Sequence, residues 1–102
     1  TLYGDLLQPA SEADIRAVYS EFYSGSSFVR IYESSAPVGS PHVRGTNFAN
    51  LVVSVDERCR RLRIVSYIDN LVKGQAGSAL QNMNLICGLP ETAGLDRPGM
   101  FP

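Results

Sequence analysis

Residues 48–68 read FANLVVSVDERCRRLRIVSYI, and this stretch decides the fold. Two runs, Phe48 to Val55 and Arg61 to Ile68, are rich in β-branched and aromatic residues, and the polar Asp56-Glu57-Arg58-Cys59-Arg60 separates them. That pattern predicts two strands joined as a hairpin. On the first strand Leu51, Val53 and Val55 alternate with Asn50, Val52 and Ser54; on the second Leu62 and Ile64 alternate with Arg61 and Arg63. Successive side chains of a strand point to opposite faces, so one face is expected to be buried and the other wet near the turn. The basic turn reads as a solvated tip, because the charges of the whole chain sum to only −1.

Downstream of the hairpin, Leu71 to Cys87 reads as a helix, with Ala76, Ala79, Leu80, Met83 and Cys87 along one face. Gly88 is a natural C-cap, Pro90 stops continuation, and Glu91 to Pro102 is irregular. Upstream, Ser34 to Gly45 carries prolines, glycines and serines and reads as a long loop, of a length that is often functional. Ser27 to Glu33 reads as a strand. Before it lies a helix with Ser11 as N-cap, acidic Glu12 and Asp14 in the first turn, and Gly25 as the terminating residue. Ile15, Val18, Tyr19 and Phe22 are spaced to form its buried face. Thr1 to Leu7 is expected to hold a short strand.

The order is strand, helix, strand, long loop, strand, strand, helix. Segregated elements of this kind predict an α+β fold, a largely antiparallel sheet with helices on one face. At 102 residues the chain suits a single domain, 1–102. Its strands carry apolar residues on both sides, so the open sheet face is expected to meet a second subunit or further chain. The start at Thr1 suggests a fragment or a processed product.

Composition narrows the function classes. The mixed charges provide no electrostatic basis for binding nucleic acid or anionic lipid. No apolar run is long enough to span a membrane, and no secretory signal is visible. Two cysteines and one histidine, His42, form no zinc spacing and no disulfide framework, which favours a reducing compartment. Cys59 lies on the hairpin tip and Cys87 at a helix C-terminus, where the dipole opposes a thiolate; neither reads as a nucleophile. His42 lacks a nameable orienting partner and reads as surface loop.

Three stretches could carry chemistry. In Tyr67-Ile68-Asp69-Asn70-Leu71-Val72-Lys73-Gly74 a strand passes into a helix N-terminus, and the amide of Asn70 can both donate and accept, which matches a carboxamide. The plain alternative is that Asp69 or Asn70 is only the N-cap. Next, Gly74 and Gly77 lie inside a helical pattern, at a cost of about 1 kcal/mol each against alanine, which suggests close approach by another element or a cofactor ring. They are not a dinucleotide fingerprint, which requires a strand–glycine loop–helix unit. Finally, Arg44 in Pro41-His42-Val43-Arg44-Gly45-Thr46-Asn47 could hold a carboxylate or phosphate, with Thr46 and Asn47 adding polar contacts; a solvated loop arginine is the alternative.

Four blocks in order, Val43-Arg44-Gly45-Thr46-Asn47, Ile68 to Gly74, Ala79 to Leu85 and Gly88 to Leu95, resemble the C-terminal part of N-acetyl-γ-glutamyl-phosphate reductases. Thr1 to Ser40 fits this family more loosely, and Phe48-Ala49 departs from its usual aromatic–cysteine pair. The resemblance implies the catalytic and dimerisation domain type of the glyceraldehyde-3-phosphate dehydrogenase-like superfamily, with a Rossmann domain elsewhere in the protein. It implies NADPH-dependent reduction of an acyl phosphate to the semialdehyde in arginine biosynthesis, through a cysteine thioester assisted by a histidine. Neither Cys59, Cys87 nor His42 matches those catalytic motifs, so the chain holds no catalytic residue and alone is expected to be inactive. The resemblance assigns Asn70 to the nicotinamide carboxamide, Gly74 to the wall beside the cofactor, and Arg44 and Asn47 to the substrate pocket, with no metal. It further implies the rest of the reductase as partner, a homo-oligomer through the sheet face, and a cytoplasmic location, or plastid in a plant. The alternative is a freestanding, non-catalytic α+β interaction domain.

Overall fold

A computed structural model describes residues 1–100. The elements are β1 (Leu2–Asp5), α1 (Glu12–Phe22), β2 (Val29–Glu33), β3 (Ala49–Asp56), β4 (Arg61–Ile68) and α2 (Gly77–Ile86). The strands form one sheet in the order β1-β4-β3-β2. Thus the α+β class expected from the element order is the class observed. β1 runs antiparallel to β4 with Leu2 opposite Ile64 and Asp5 opposite Arg61. Leu6 N–H extends that ladder to Arg60 O at 2.8 Å. The sheet is mixed rather than purely antiparallel. Since β3 and β4 form a hairpin, the parallel pair is β3 with β2, and residues 34–48 between them are long enough for the crossover that parallel strands require.

The chain divides into two compact units, one formed by Thr1–Val38 with Asn50–Ser66, the other by Gly39–Ala49 with the chain from Tyr67 onward. In the first unit α1 opens as expected. Ser11 Oγ accepts from Asp14 N, and the Asp14 carboxylate accepts from Ser11 N, both at 3.1 Å, which completes a capping box. The Ser11 backbone N–H, and after it the Ser11 side chain, hold the Asp14 carboxyl below its usual range. Glu12 reaches across to β2's end, accepting from Ser34 N at 2.9 Å and Ser34 Oγ at 2.8 Å.

Several expectations for this unit are corrected. Helix α1 has no buried residue: Val18 is 61% and Phe22 79% exposed, while Ile15 and Tyr19 are half-buried. The amphipathic spacing is there, but the described chain leaves half of that stripe uncovered. The helix ends at Tyr23, whose N–H bonds to Tyr19 O at 3.0 Å, and Gly25 does not adopt the positive φ expected of it. At the hairpin tip it is Arg60, φ 52°, that takes the left-handed position. On β4 the predicted alternation holds, with Leu62 half-buried between the exposed Arg61 and Arg63, and Ile64 buried next after Arg63. On β3, Asn50 and Val53 are the buried residues, and their separation puts them on opposite faces, so this inner strand is covered on both.

In the second unit, Ser40–Val43 forms a 3-10 turn inside the long loop and Val43 is buried. The predicted helix from Leu71 does not start as an α-helix. Val72–Ala76 is a π-helical segment, with Gly74 N to Asp69 O at 3.0 Å and Ala76 N to Leu71 O at 3.1 Å, before α2 begins. Its end is as read: Gly88 has φ 68°, Leu89 N donates to Asn84 O at 2.8 Å and Gly88 N to Leu85 O at 3.3 Å, a Schellman closure. The buried face of α2 is the one bearing Gly77 and Asn84. Of the residues expected on one apolar face, only Leu80 is half-buried, and Ala76, Ala79, Met83 and Cys87 are exposed.

Candidate functional site

The strand-to-helix junction and the loop after the 3-10 turn meet at a groove of about 440 Å³ lined by Ser40, Pro41, Arg44, Ile68, Asp69 and Asn70. Two of the residues singled out in separate stretches, Arg44 and Asn70, therefore line one cavity. Both are exposed, and neither side chain has a hydrogen-bond partner among the described residues.

The N-cap role at the junction falls to Asp69, which leaves Asn70 free. Asp69 Oδ1 accepts from Leu71 N at 2.8 Å and Val72 N at 3.2 Å, and its Oδ2 accepts from Gly45 N at 2.7 Å. The backbone N–H of Gly45, with those of Leu71 and Val72 and the nearby Arg44 charge, holds the Asp69 carboxyl below its usual range. One carboxylate thus ties the Arg44 loop to the helix start.

The glycines of the helix have separate reasons. A Cβ on Gly74 would stand 3.1 Å from Asn70 Oδ1 and 3.6 Å from Ile68 Cδ1, so Gly74 leaves room for the Asn70 side chain. A Cβ on Gly77 would collide with Asn47 Oδ1 and approach Val72 O to 2.6 Å. The π-helical turn brings the Val72 carbonyl over Gly77, and only a glycine fits beneath it.

Asn47 is wholly buried and lies against α2 rather than lining the groove. Its Nδ2 donates to Gln81 Oε1 at 2.9 Å, Lys73 Nζ donates to the same oxygen at 2.7 Å, and Gln81 Nε2 donates to Glu91 Oε1 at 2.7 Å. Thr46 is also buried; its hydroxyl donates to Val43 O at 2.7 Å and closes the loop on itself. His42 is exposed, with Nδ1 3.1 Å from Gly39 N. Cys59 and Cys87 are free and exposed.

Gln81, Asn84 and Glu91 were not singled out from the sequence. Asn84 Nδ2 donates to Glu91 O at 3.1 Å and Ala93 O at 2.9 Å, which anchors the segment after α2. Gln81 and Asn84 lie on the α2 face that Gly77 shares, and polar residues on a helix ordinarily face solvent, while Glu91 lies beyond the helix.

A sequence model described as the semialdehyde dehydrogenase dimerisation domain matches residues 1–70. Over 102 residues the chain is 49% identical to a protein of Geobacter sulfurreducens named N-acetyl-gamma-glutamyl-phosphate reductase, covering 100% of this chain and 30% of that protein. A protein of the same name from Pelotomaculum thermopropionicum is 47% identical, with 100% of this chain and 29% of the relative covered. One from Moorella thermoacetica is 45% identical over 106 residues, covering 100% of this chain and 30% of the relative. The chain spans about three tenths of the length of these relatives.

Proposed function

The chain belongs to the family of semialdehyde dehydrogenase dimerisation domains, and from that premise we propose that it is one part of an NADPH-dependent N-acetyl-γ-glutamyl-phosphate reductase. The observation that carries the reading is the groove that brings the exposed amide of Asn70 and the exposed guanidinium of Arg44 together. It agrees with the name of the relatives, which cover the whole chain.

The residues present fit a nicotinamide. Asn70 offers an exposed amide with a donor end and an acceptor end, and the absence of a side chain at Gly74 leaves that amide its room. When bound, NADPH supplies the hydride that reduces the acyl group. Asn70 would pair with the carboxamide and so fix which ring face is presented. Arg44 would hold an anionic group of the acyl phosphate, for which a guanidinium fork is suited. Asn47 would act from beneath, by seating the loop on α2 through Gln81. Nucleophile and general acid are assigned to parts of the protein outside these residues, and oligomerisation to the sheet face.

The test is a cofactor-oxidation assay on the full-length protein. NADPH consumption is expected only when N-acetyl-γ-glutamyl phosphate is present, with phosphate released in equal amount, and residues 1–102 alone should show no turnover. A full-length protein that leaves NADPH unoxidised with this substrate would contradict the reading.

A further inference from the structure

We propose that Asp69 is a positioning residue that sets the distance between Arg44 and Asn70, and so couples substrate holding to cofactor orientation; this rests on the reading of the groove given above. The two oxygens of one carboxylate serve two different segments. Oδ1 caps the π-helical start through Leu71 and Val72 N–H, and this fixes the backbone that carries Asn70. Oδ2 accepts from Gly45 N, next in chain to Arg44.

Gly45 is gripped from its other side as well. Its φ is 74°, a conformation costly for any residue with a Cβ, and a Cβ there would lie 3.0 Å from the Met100 side chain. Met100 N donates to Arg44 O at 2.9 Å. The loop is therefore held at one peptide unit, by Met100 at Arg44 O and by Asp69 at Gly45 N–H, and Asp69 supplies the part of the hold that reaches the helix. A simple N-cap would need only Oδ1.

The charges around Asp69 leave its carboxylate to this task. Arg44 acts on it from the loop. Lys73, on the helix side, is turned to Gln81, and His42 of the 3-10 turn has its Nδ1 at Gly39. The backbone donors outweigh the Arg44 charge in stabilising the ionised form.

The chemistry permits a separation of the two roles. In Asp69→Asn the remaining oxygen can still cap Leu71 and Val72, but the new NH2 faces Gly45 N–H, donor against donor. In the full-length protein Asp69→Asn should raise the KM for the acyl phosphate about tenfold while kcat falls less, the loss of one charge-assisted hydrogen bond. The melting temperature should fall less than in Asp69→Ala, which loses both roles. In the unmodified protein the Gly45 amide resonance should follow a single acid titration below the ordinary carboxylate range, and that response should vanish in Asp69→Asn. A Gly45 amide that ignores pH, or an unchanged KM in Asp69→Asn where Arg44→Ala raises it, would overturn the coupling. If Arg44→Ala and Asn70→Ala are themselves without kinetic effect, the groove reading fails first and takes this inference with it. Should Asp69→Asn not fold, the Gly45 titration in the unmodified protein decides alone.

Discussion

At the scale of single residues, Gly77 shows how a sequence signal and its cause can differ. Two glycines in a helical pattern point to a close approach, and the sequence leaves open whether another element or a cofactor makes it. For Gly77 it is the chain itself, the Val72 carbonyl of the π-helical turn and the buried Asn47 amide. For Gly74 it is the Asn70 side chain. Alanine in a helix interior usually gains about 1 kcal/mol over glycine. Here Gly77→Ala should instead destabilise by about 1–3 kcal/mol, the cost of overpacking, read as a lower urea midpoint. A midpoint equal to or above that of the parent protein would mean the turn relaxes freely and the π geometry is not required. Asn70 shows the converse. Its neighbour Asp69 takes the cap, a division of labour that two adjacent cap-forming residue types cannot reveal without coordinates.

At the scale of elements, the start of α1 and the end of α2 were legible, and the packed faces of the two helices were not. The capping box of α1 is written in Ser11 and Asp14, and the Schellman end of α2 in Gly88, because each depends on local backbone donors and acceptors. Ser11→Ala should therefore cost about 1 kcal/mol, measured by urea unfolding. The pH dependence of the same cap has a definite sign. The folded Asp14 carboxyl titrates below its ordinary 3.8, so its stabilisation is present above that value and is lost as pH falls through the folded value. Asp14→Asn should accordingly lower the urea midpoint near neutrality and leave it nearly unchanged in strong acid. An equal effect at both would contradict the carboxylate's role in the cap. The π-helical opening of α2 left no mark in the periodicity, since one widened turn shifts the register by a single residue. Within α2 the packed side is the one with Gly77 and Asn84 rather than the one with Met83.

At the scale of the whole molecule, the strands of residues 48–68 and the α+β class could be read because β-branched alternation is a property of the strand itself. The sheet's mixed character could not, since strand direction depends on which strands become neighbours. The apolar stripes of α1 and α2 stand largely exposed among the described residues. Among the described residues the buried apolar side chains are few, Phe28, Val43, Val53, Ile64 and Leu95, while Phe22, Leu71 and Ile86 stand exposed. Exposed apolar side chains of this kind are expected to mark contact surfaces, and the chain spans 30% of the length of such a relative. The central claim is that the groove at the strand-to-helix junction orients a nicotinamide through Asn70. The most direct measurement is the steady-state KM for NADPH of full-length Asn70→Ala beside the parent protein. A rise of about tenfold, with the melting temperature kept, is expected from the loss of paired hydrogen bonds to a carboxamide. An unchanged KM and kcat with NADPH would contradict it.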